Sequence, residues 1–360
     1  LVEAEQLARA AVDANGARGE AWGVLGAVYR WQRRNGAAVE ALRRARSLAP
    51  NDAGVRDQLR SAEAALMPVV RPSIRGEDDS DANRMVTTQL VGRYHPTPRL
   101  NVRGEAYRRD LRQDLSLGRL ERSAMGVFLS GTYELDPGWL LTAGAGGSRT
   151  DGFDDPTLLS YRVAVRSPQR RPVDVTVDFA SFGVDETAAM AERGVRSTQL
   201  LVSAAWRPSL DWRVDGQVGM GSYEATESNG RRSLLLAATR TVGSELFLGG
   251  GFRAFSFEKN LFDGYFDPDF YGVLEVSGTW VRRPLPWSFL VEVAPGVEQV
   301  TADGDPSLTV RGNGRAAYQF AGVSEVSLSL SYSTASVTTF ASGGGGYDYV
   351  SVVLGMRWIL

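Results

Sequence analysis

The sequence predicts a mainly β protein: an antiparallel transmembrane β-barrel of sixteen strands, preceded by a short α-helical segment. Three observations predict it. Apolar residues recur at helical spacing as far as residue 67 and at a spacing of two from residue 68 onward. The stretches between successive strands alternate between short turns and longer polar loops, the pattern of a meander that crosses a bilayer. Six tryptophans fall beside the short turns or near the C-terminus, in phase with the apolar face.

Residues 1–67 form the helical part. Trp22, Leu25, Gly26 and Tyr29 recur on one helical face, followed by Ala38, Leu42 and Ala45 and closed by Pro50. These intervals match a tetratricopeptide repeat, two antiparallel helices in a unit of about 34 residues. Small residues at Gly26, Ala38 and Ala45 let the helices approach closely. Arg33 departs from the glycine often found at the helix–helix turn. Leu1 to Ala14 reads as the second helix of a preceding repeat, and Asn51 to Leu66 as a capping helix. About three repeats make a stable solenoid, so further repeats are expected before Leu1. The alternative is an unrelated helical hairpin.

Residues 68–360 form the barrel. Val326, Leu328, Leu330 and Tyr332 alternate with serines, and Val350, Val352, Leu354, Met356 and Trp358 alternate with smaller or polar residues. Each such run has one apolar and one polar face. Short turns are expected near 95–98, 136–138, 167–172, 207–210, 241–244, 282–286 and 321–324. Longer loops are expected near 76–83, 109–120, 148–157, 182–196, 223–230, 257–269, 298–306 and 334–346. A soluble sandwich is the competing fold. It is disfavoured by strands of about 9–13 residues, close to what a tilted membrane strand needs. Trp139, Trp206, Trp212, Trp280, Trp287 and Trp358 read as one aromatic girdle at the headgroup level. An even strand number puts both barrel ends on the short-turn side. The helical segment is therefore expected in the periplasm of a bacterial outer membrane, with membrane lipid around the wall.

Composition removes other classes. With 43% hydrophobic and 23% charged residues and a net charge of −2, the chain is not compositionally disordered. The balance of 40 basic to 42 acidic residues argues against nucleic acid as a partner. No apolar run reaches the length of a membrane-spanning helix. With no cysteine and one histidine, His95, there is no disulfide framework, no thiolate zinc site and no complete nucleophile–base relay. No metal, cofactor or catalytic residue is expected. A barrel-embedded acyl hydrolase or transferase, using His95 as base, is the enzymatic alternative.

The polar face supplies the candidate pore lining. Early strands contribute Arg93, Arg103, Glu105, Tyr107 and Glu134. Middle strands contribute Arg162, Arg166, Asp174, Asp178, Arg207, Asp211, Arg213 and Asp215. Late strands contribute Glu245, Arg253, Glu275, Glu292, Arg311, Arg315, Glu325 and Arg357. Acids and arginines balance in this set, so no strong single-sign field is expected. Inward charges also pair across strands and stiffen a wall. Phe128, Phe247 and Tyr349 share the polar phase. The acidic runs Glu77 to Asp81 and Asp151, Asp154 and Asp155 lack the ordered spacing of a calcium loop and read as solvated loops.

A tetratricopeptide stretch leading directly into a sixteen-strand C-terminal barrel resembles the outer-membrane porins of exopolysaccharide secretion, of the cellulose-secretion and poly-N-acetylglucosamine export types. Gly264-Tyr265-Phe266-Asp267-Pro268, followed by Phe270 and Tyr271, is similar to the G-Y-F-x-P segment before a late strand in the cellulose-secretion barrels. The chain departs from the usual barrel C-terminus by ending in Ile359 and Leu360. The resemblance implies export of a linear, cellulose-like polysaccharide, with the repeats as scaffold for inner-membrane synthase or periplasmic components. It makes Tyr265, Phe266, Asp267, Pro268, Phe270 and Tyr271 candidates for a sugar-stacking lip or an inward-folded constriction. A plugged barrel that anchors periplasmic partners is the second reading.

The phase assignment has a direct test. Leu328→Arg places a charge on the lipid face and is expected to cost about 2–4 kcal/mol near the midplane, while Ser329→Arg is tolerated. Equal losses of folded barrel from the two variants, measured by denaturant titration in detergent, would contradict the assignment.

Overall fold

The computed structural model describes residues 2–32, 34–115, 118–151, 157–168, 172–261, 263–320, 324–335 and 348–360. Arg33, Asp154, Asp155 and most of the expected 334–346 loop lie outside them. Four helices come first: α1 (Val2–Ala14), α2 (Gly19–Trp31), α3 (Asn35–Leu48) and α4 (Ala53–Ala64). Seven strands follow: β1 (Val69–Asp79), β2 (Asn83–Thr97), β3 (Leu100–Leu115), β4 (Gly118–Leu135), β5 (Trp139–Thr150), β6 (Leu158–Arg166) and β7 (Val173–Gly183). After the short helix α5 (Ala188–Arg193) come β8 (Arg196–Trp206), β9 (Trp212–Glu224), β10 (Ser228–Val242), β11 (Leu246–Phe257) and β12 (Tyr271–Arg282). The last four are β13 (Trp287–Val300), β14 (Ser307–Phe320), β15 (Ser324–Ser333) and β16 (Tyr349–Ile359).

Every strand pairs antiparallel with its sequence neighbours, and β1 pairs with β16, so the sheet is a closed sixteen-strand barrel. Closure removes the free edges that an open sheet would present to lipid. Alternation fixes the two faces. On the outer face Leu328, Leu330, Val352 and Leu354 are exposed, and their neighbours Ser327, Ser329, Ser331 and Ser351 face the lumen. Three strand prolines sit where a ladder skips. Pro72 lies in a gap of the β1–β16 register, Pro96 in the β2–β3 irregularity, and Pro295 in a gap between β12 and β13. A residue without an N–H is tolerated at such points.

The expected alternation of short and long connections fails at three places. Residues near 76–83, 109–120 and 223–230 are largely strand, with β3 running 16 residues and β4 running 18. The polarity that suggested loops is an ionic dressing on strands that continue past the apolar band. Arg108 pairs with Asp110 at 3.1 Å, Arg119 with Asp114 at 2.9 Å, and Arg84 with Asp78 at 2.8 Å. The last two pairs cross between neighbouring strands and keep a ladder going in water.

The helical segment has its own core of Leu25, Val28, Tyr29, Ala38, Val39, Leu42 and Ala62, with Trp22 packed against it. Ala45 is fully buried, and Pro50 follows the end of α3. A β-carbon at Gly26 would stand 2.5 Å from Leu42 Cγ, so α2 and α3 meet closely because position 26 has no side chain. The segment docks on the short-turn rim. Arg34 Nε donates to Glu134 at 2.6 Å, Nη1 to Glu5 at 3.2 Å and Nη2 to Asp136 at 3.1 Å, while its guanidinium covers the Tyr29 ring. Arg99 ties Glu40 to Asp136. His95 Nδ1 donates to the Leu66 carbonyl at 3.0 Å, and Nε2 accepts from the Asn101 amide at 3.1 Å. Both ring nitrogens are occupied in joining helices to barrel.

Backbone contact completes the dock: a β-carbon on Gly36 would lie 2.0 Å from the Pro98 carbonyl oxygen. Gly36→Ala should therefore lift the helices from the rim. Arg34→Ala should weaken the dock by about 3–5 kcal/mol, because it strands the buried Glu134 carboxylate, while Glu5 keeps Arg9 and Gln32. A spin-label distance between α4 and the 136–138 turn is expected to broaden in both variants, with the barrel's heat-modifiable gel mobility unchanged.

Candidate functional site: the barrel lumen

The register places most of the expected lining residues on the inner face, and there they pair. Arg162 binds Asp178, Arg207 reaches Asp174 at 2.8 Å, and Arg213 reaches Asp215 at 2.7 Å. Arg311 lies 2.6 Å from Glu292 and 3.3 Å from Glu275, which Arg253 also holds at 3.3 Å. Arg103 holds Glu105 at 2.8 Å, and Arg315 holds Glu325. Among the described residues, Arg93, Arg166 and Arg357 are on the same face without an ion pair, and the Nε of each is sealed from solvent with no hydrogen-bond partner.

Three of the expected lining residues are placed differently. Asp211 lies in the turn before β9, where its carbonyl accepts from Thr241. Glu245 lies in the 243–245 turn, and its carboxylate accepts from the Trp280 indole at 3.2 Å, on the outer rim. Glu134 is on the inner face but is enclosed by Arg34 beneath the helices. Sequence alternation assigns a face to a strand residue, and it has no authority over a turn.

The loops at the other end fold inward and meet. In the β7–β8 connection, Thr187 Oγ1 accepts from Met190 N to cap α5, and Gly194 ends the helix at φ 61°. Ala188 and Ala191 of α5 pack on Met85 and Leu111, inner-face residues of β2 and β3. Asp185 accepts from Tyr107 Oη at 2.6 Å and from Arg109 Nη1, and Glu192 binds Arg122. Met190, Val184 and Val195 pack on Tyr265, Tyr223 and Phe257. Phe266 continues the chain of contacts to Tyr271, Val273, Phe255 and Tyr349 on β16. Buried contacts thus run across the barrel from β2–β4 through α5 and residues 263–267 to β16.

Gly264 is required twice over. Its φ is +89°, and a β-carbon there would lie 2.6 Å from Ala189 Cβ. The aromatic candidates of this segment are consequently not an open lip. Tyr265, Phe266, Asp267 and Tyr271 are buried, and ring faces are taken by other rings, such as Tyr223 against Tyr265 at 4.9 Å. Asp267 accepts from Leu261 N, and the Pro268 carbonyl accepts from Phe257 N at 2.9 Å. Phe270 lies against Gly272 on the outer face of β12. Asp185, Glu186, Arg109 and α5 were missed in the sequence, although Thr187 and Gly194 bracket Ala-Ala-Met-Ala-Glu-Arg as cap signals. Arg71 was missed too: on β1 the glycine and proline obscure the alternation of Arg71, Ser73 and Arg75 with Val70, Pro72 and Ile74.

Beside the bridge is a cavity of about 470 Å³ lined by both signs of charge, including Arg109, Arg162, Asp178 and Asp185. At the helix-side mouth is a second cavity, of about 670 Å³, lined by Arg71, Arg93, Arg103, Arg315, Arg357 and Glu325. The lumen charge that balances over the whole wall is therefore segregated locally. Outside, all six girdle tryptophans are on the outer face at the short-turn end and at least a third exposed. Tyr94, Tyr133, Phe289 and Tyr318 join them; Trp287 stacks on Phe289 at 5.9 Å and meets the Tyr318 ring edge-on at 5.0 Å. Among the described residues no group of three or more His, Asp or Glu is arranged to hold a metal ion.

No known family matches the chain, and no curated protein matches it. A solved structure of a bacterial polysaccharide outer membrane secretin is similar at TM-score 0.63 and 12% identity, over 82% of this chain and 99% of that one. The likeness is one of fold. CdiB from Acinetobacter baumannii is similar at TM-score 0.51 and 9% identity, over 81% of this chain and 60% of that one. The closed sixteen-strand antiparallel barrel of this chain is thus a fold that bacterial outer-membrane proteins use.

The bridge carries a pH dependence. Burial pushes the Glu186 carboxyl up to about 7 and the Asp267 carboxyl up to about 6. In a solvated loop these groups have their ordinary values of 4.5 and 3.8, so the docked loops bind protons more tightly than the undocked ones. The stabilisation is complete below about 4 and is lost as pH rises through 6 and 7. Amide-exchange protection of residues 184–195 and 263–270, corrected for intrinsic rates, is expected to fall between pH 5 and pH 8. Glu186→Gln together with Asp267→Asn should flatten that trend.

Proposed function

We propose that this protein is an outer-membrane pore for export of a linear exopolysaccharide of the cellulose-like kind. The helical segment serves as a tetratricopeptide-type periplasmic scaffold for synthase or periplasmic enzymes. The observation that carries the reading is the wall: a closed barrel with a charged, hydrogen-bonding interior, an apolar exterior and a tryptophan belt at the end where the helices dock. Sixteen strands enclose enough width for an aqueous passage when loops do not fill it. The named substrate class of the similar secretin, polysaccharide, agrees with this reading.

A second reading is favoured by the bridge of α5 and residues 263–267 across the lumen: a plugged barrel that anchors periplasmic partners. Two measurements separate them. Deleting the gene should abolish secreted glycan and leave its synthesis intact; normal secretion would sink the export reading. In planar bilayers the wild-type protein should give small, brief openings, and a variant lacking residues 186–193 should conduct steadily. A silent loop-deleted barrel that still captures periplasmic partners would favour the anchor.

A further inference from the structure

The helix-side mouth carries charge that the wall does not neutralise. Five arginines line its cavity: Arg71, Arg93, Arg103, Arg315 and Arg357. Two have carboxylate partners, Arg103 in Glu105 and Arg315 in Glu325. Arg71, Arg93 and Arg357 have no carboxylate within ion-pair distance among the described residues. They are close in the wall: Arg93 is the register partner of Arg103, Val69 of Arg93, and Glu325 of Arg357. Val70↔Trp358 and Ser73↔Gly355 bracket Arg71 and Arg357 on adjoining strands.

Elsewhere in the lumen Arg162, Arg207, Arg213 and Arg311 are each matched to a carboxylate on the same face, and the unmatched Arg166 does not line this cavity. Gathering unmatched guanidinium groups in a confined cavity raises the energy of the unliganded wall. An oxyanion relieves that repulsion and accepts from the guanidinium N–H groups that face the cavity. Guanidinium forks suit the planar or tetrahedral oxygens of carboxylates and phosphates. Gln89, Ser73 and Ser327 line the same cavity and offer neutral hydrogen-bonding groups next to the charges, as hydroxyl-rich rings require.

We propose that Arg71, Arg93 and Arg357 form a binding site for an oxyanion carried on a sugar chain, placed where a polymer enters the barrel from the helix side. The polymeric nature of the ligand rests on the export reading above, and the oxyanion site does not. The inference narrows the cargo to a glycan bearing acidic substituents, where the balance of charge over the whole lining predicts no single-sign field.

The test uses the full-length protein purified in detergent, with titration calorimetry against tetragalacturonate, cellotetraose and inorganic phosphate. Tetragalacturonate is expected to bind at least about tenfold more tightly than either of the others. The triple variant Arg71→Gln, Arg93→Gln, Arg357→Gln should lose that preference, and Arg93→Gln alone should weaken binding about tenfold, consistent with loss of a charge-assisted hydrogen bond. The single variant carries the test should the triple variant not fold. Equal affinity for tetragalacturonate and cellotetraose, or affinity unchanged by the substitutions, overturns the site. Phosphate binding as tightly as tetragalacturonate overturns the assignment to a sugar-borne anion. Binding to purified protein does not depend on conduction or secretion, so a failure here is distinct from a failure of the export reading.

Discussion

The structure depends on one constraint: in a hydrocarbon layer each backbone N–H and C=O must find its partner within the protein. A sheet meets that constraint only by closing. Once it closes, alternation divides every strand into a face for acyl chains and a face for water, and the side chains follow. The same constraint explains where prolines are found. Each of the three strand prolines is placed at a skipped pairing, so the missing donor is not asked for.

Closure also creates an interior that must be filled or left wet. The chain does both. At one end, two loops build a small apolar core inside the wall, from Met190, Tyr265, Phe266 and their neighbours, and tie it with Asp185 to Tyr107 and Arg109. At the other end, side chains leave a cavity lined by five arginines against one glutamate. The helices dock on the 98–99 and 136–138 turns, over the arc of wall that carries Arg93 and Arg103. The helices and the arginine cluster therefore share one side of the mouth.

Much of the wall was legible because its signal is periodic. A run such as Val326 to Tyr332 states its own face, and the six tryptophans state which end is which. The close approach at Gly26 and the buried Ala38, Leu42 and Ala45 were legible from helical spacing. Three kinds of information were not local. Arg108, Asp110 and Asp114 look like loop residues until a partner strand pairs with them. Glu245 obeys alternation on paper, and a turn sends its carboxylate around the rim to Trp280. Tyr265 and Phe266 invite a binding role by composition, and only the approach of α5 from a distant loop shows that their faces are taken. Charge balance failed for a related reason: a sum over residues hides where each one stands.

The gap at Pro72 has a mechanical meaning. Strands β1 and β16 come from opposite ends of the barrel sequence, so their seam bears the entropy of enclosing everything between. It also lacks rungs at Arg71 and Pro72. A cylinder under radial strain gives most where rungs are missing, and on this seam the missing rungs lie beside the helix-bearing rim.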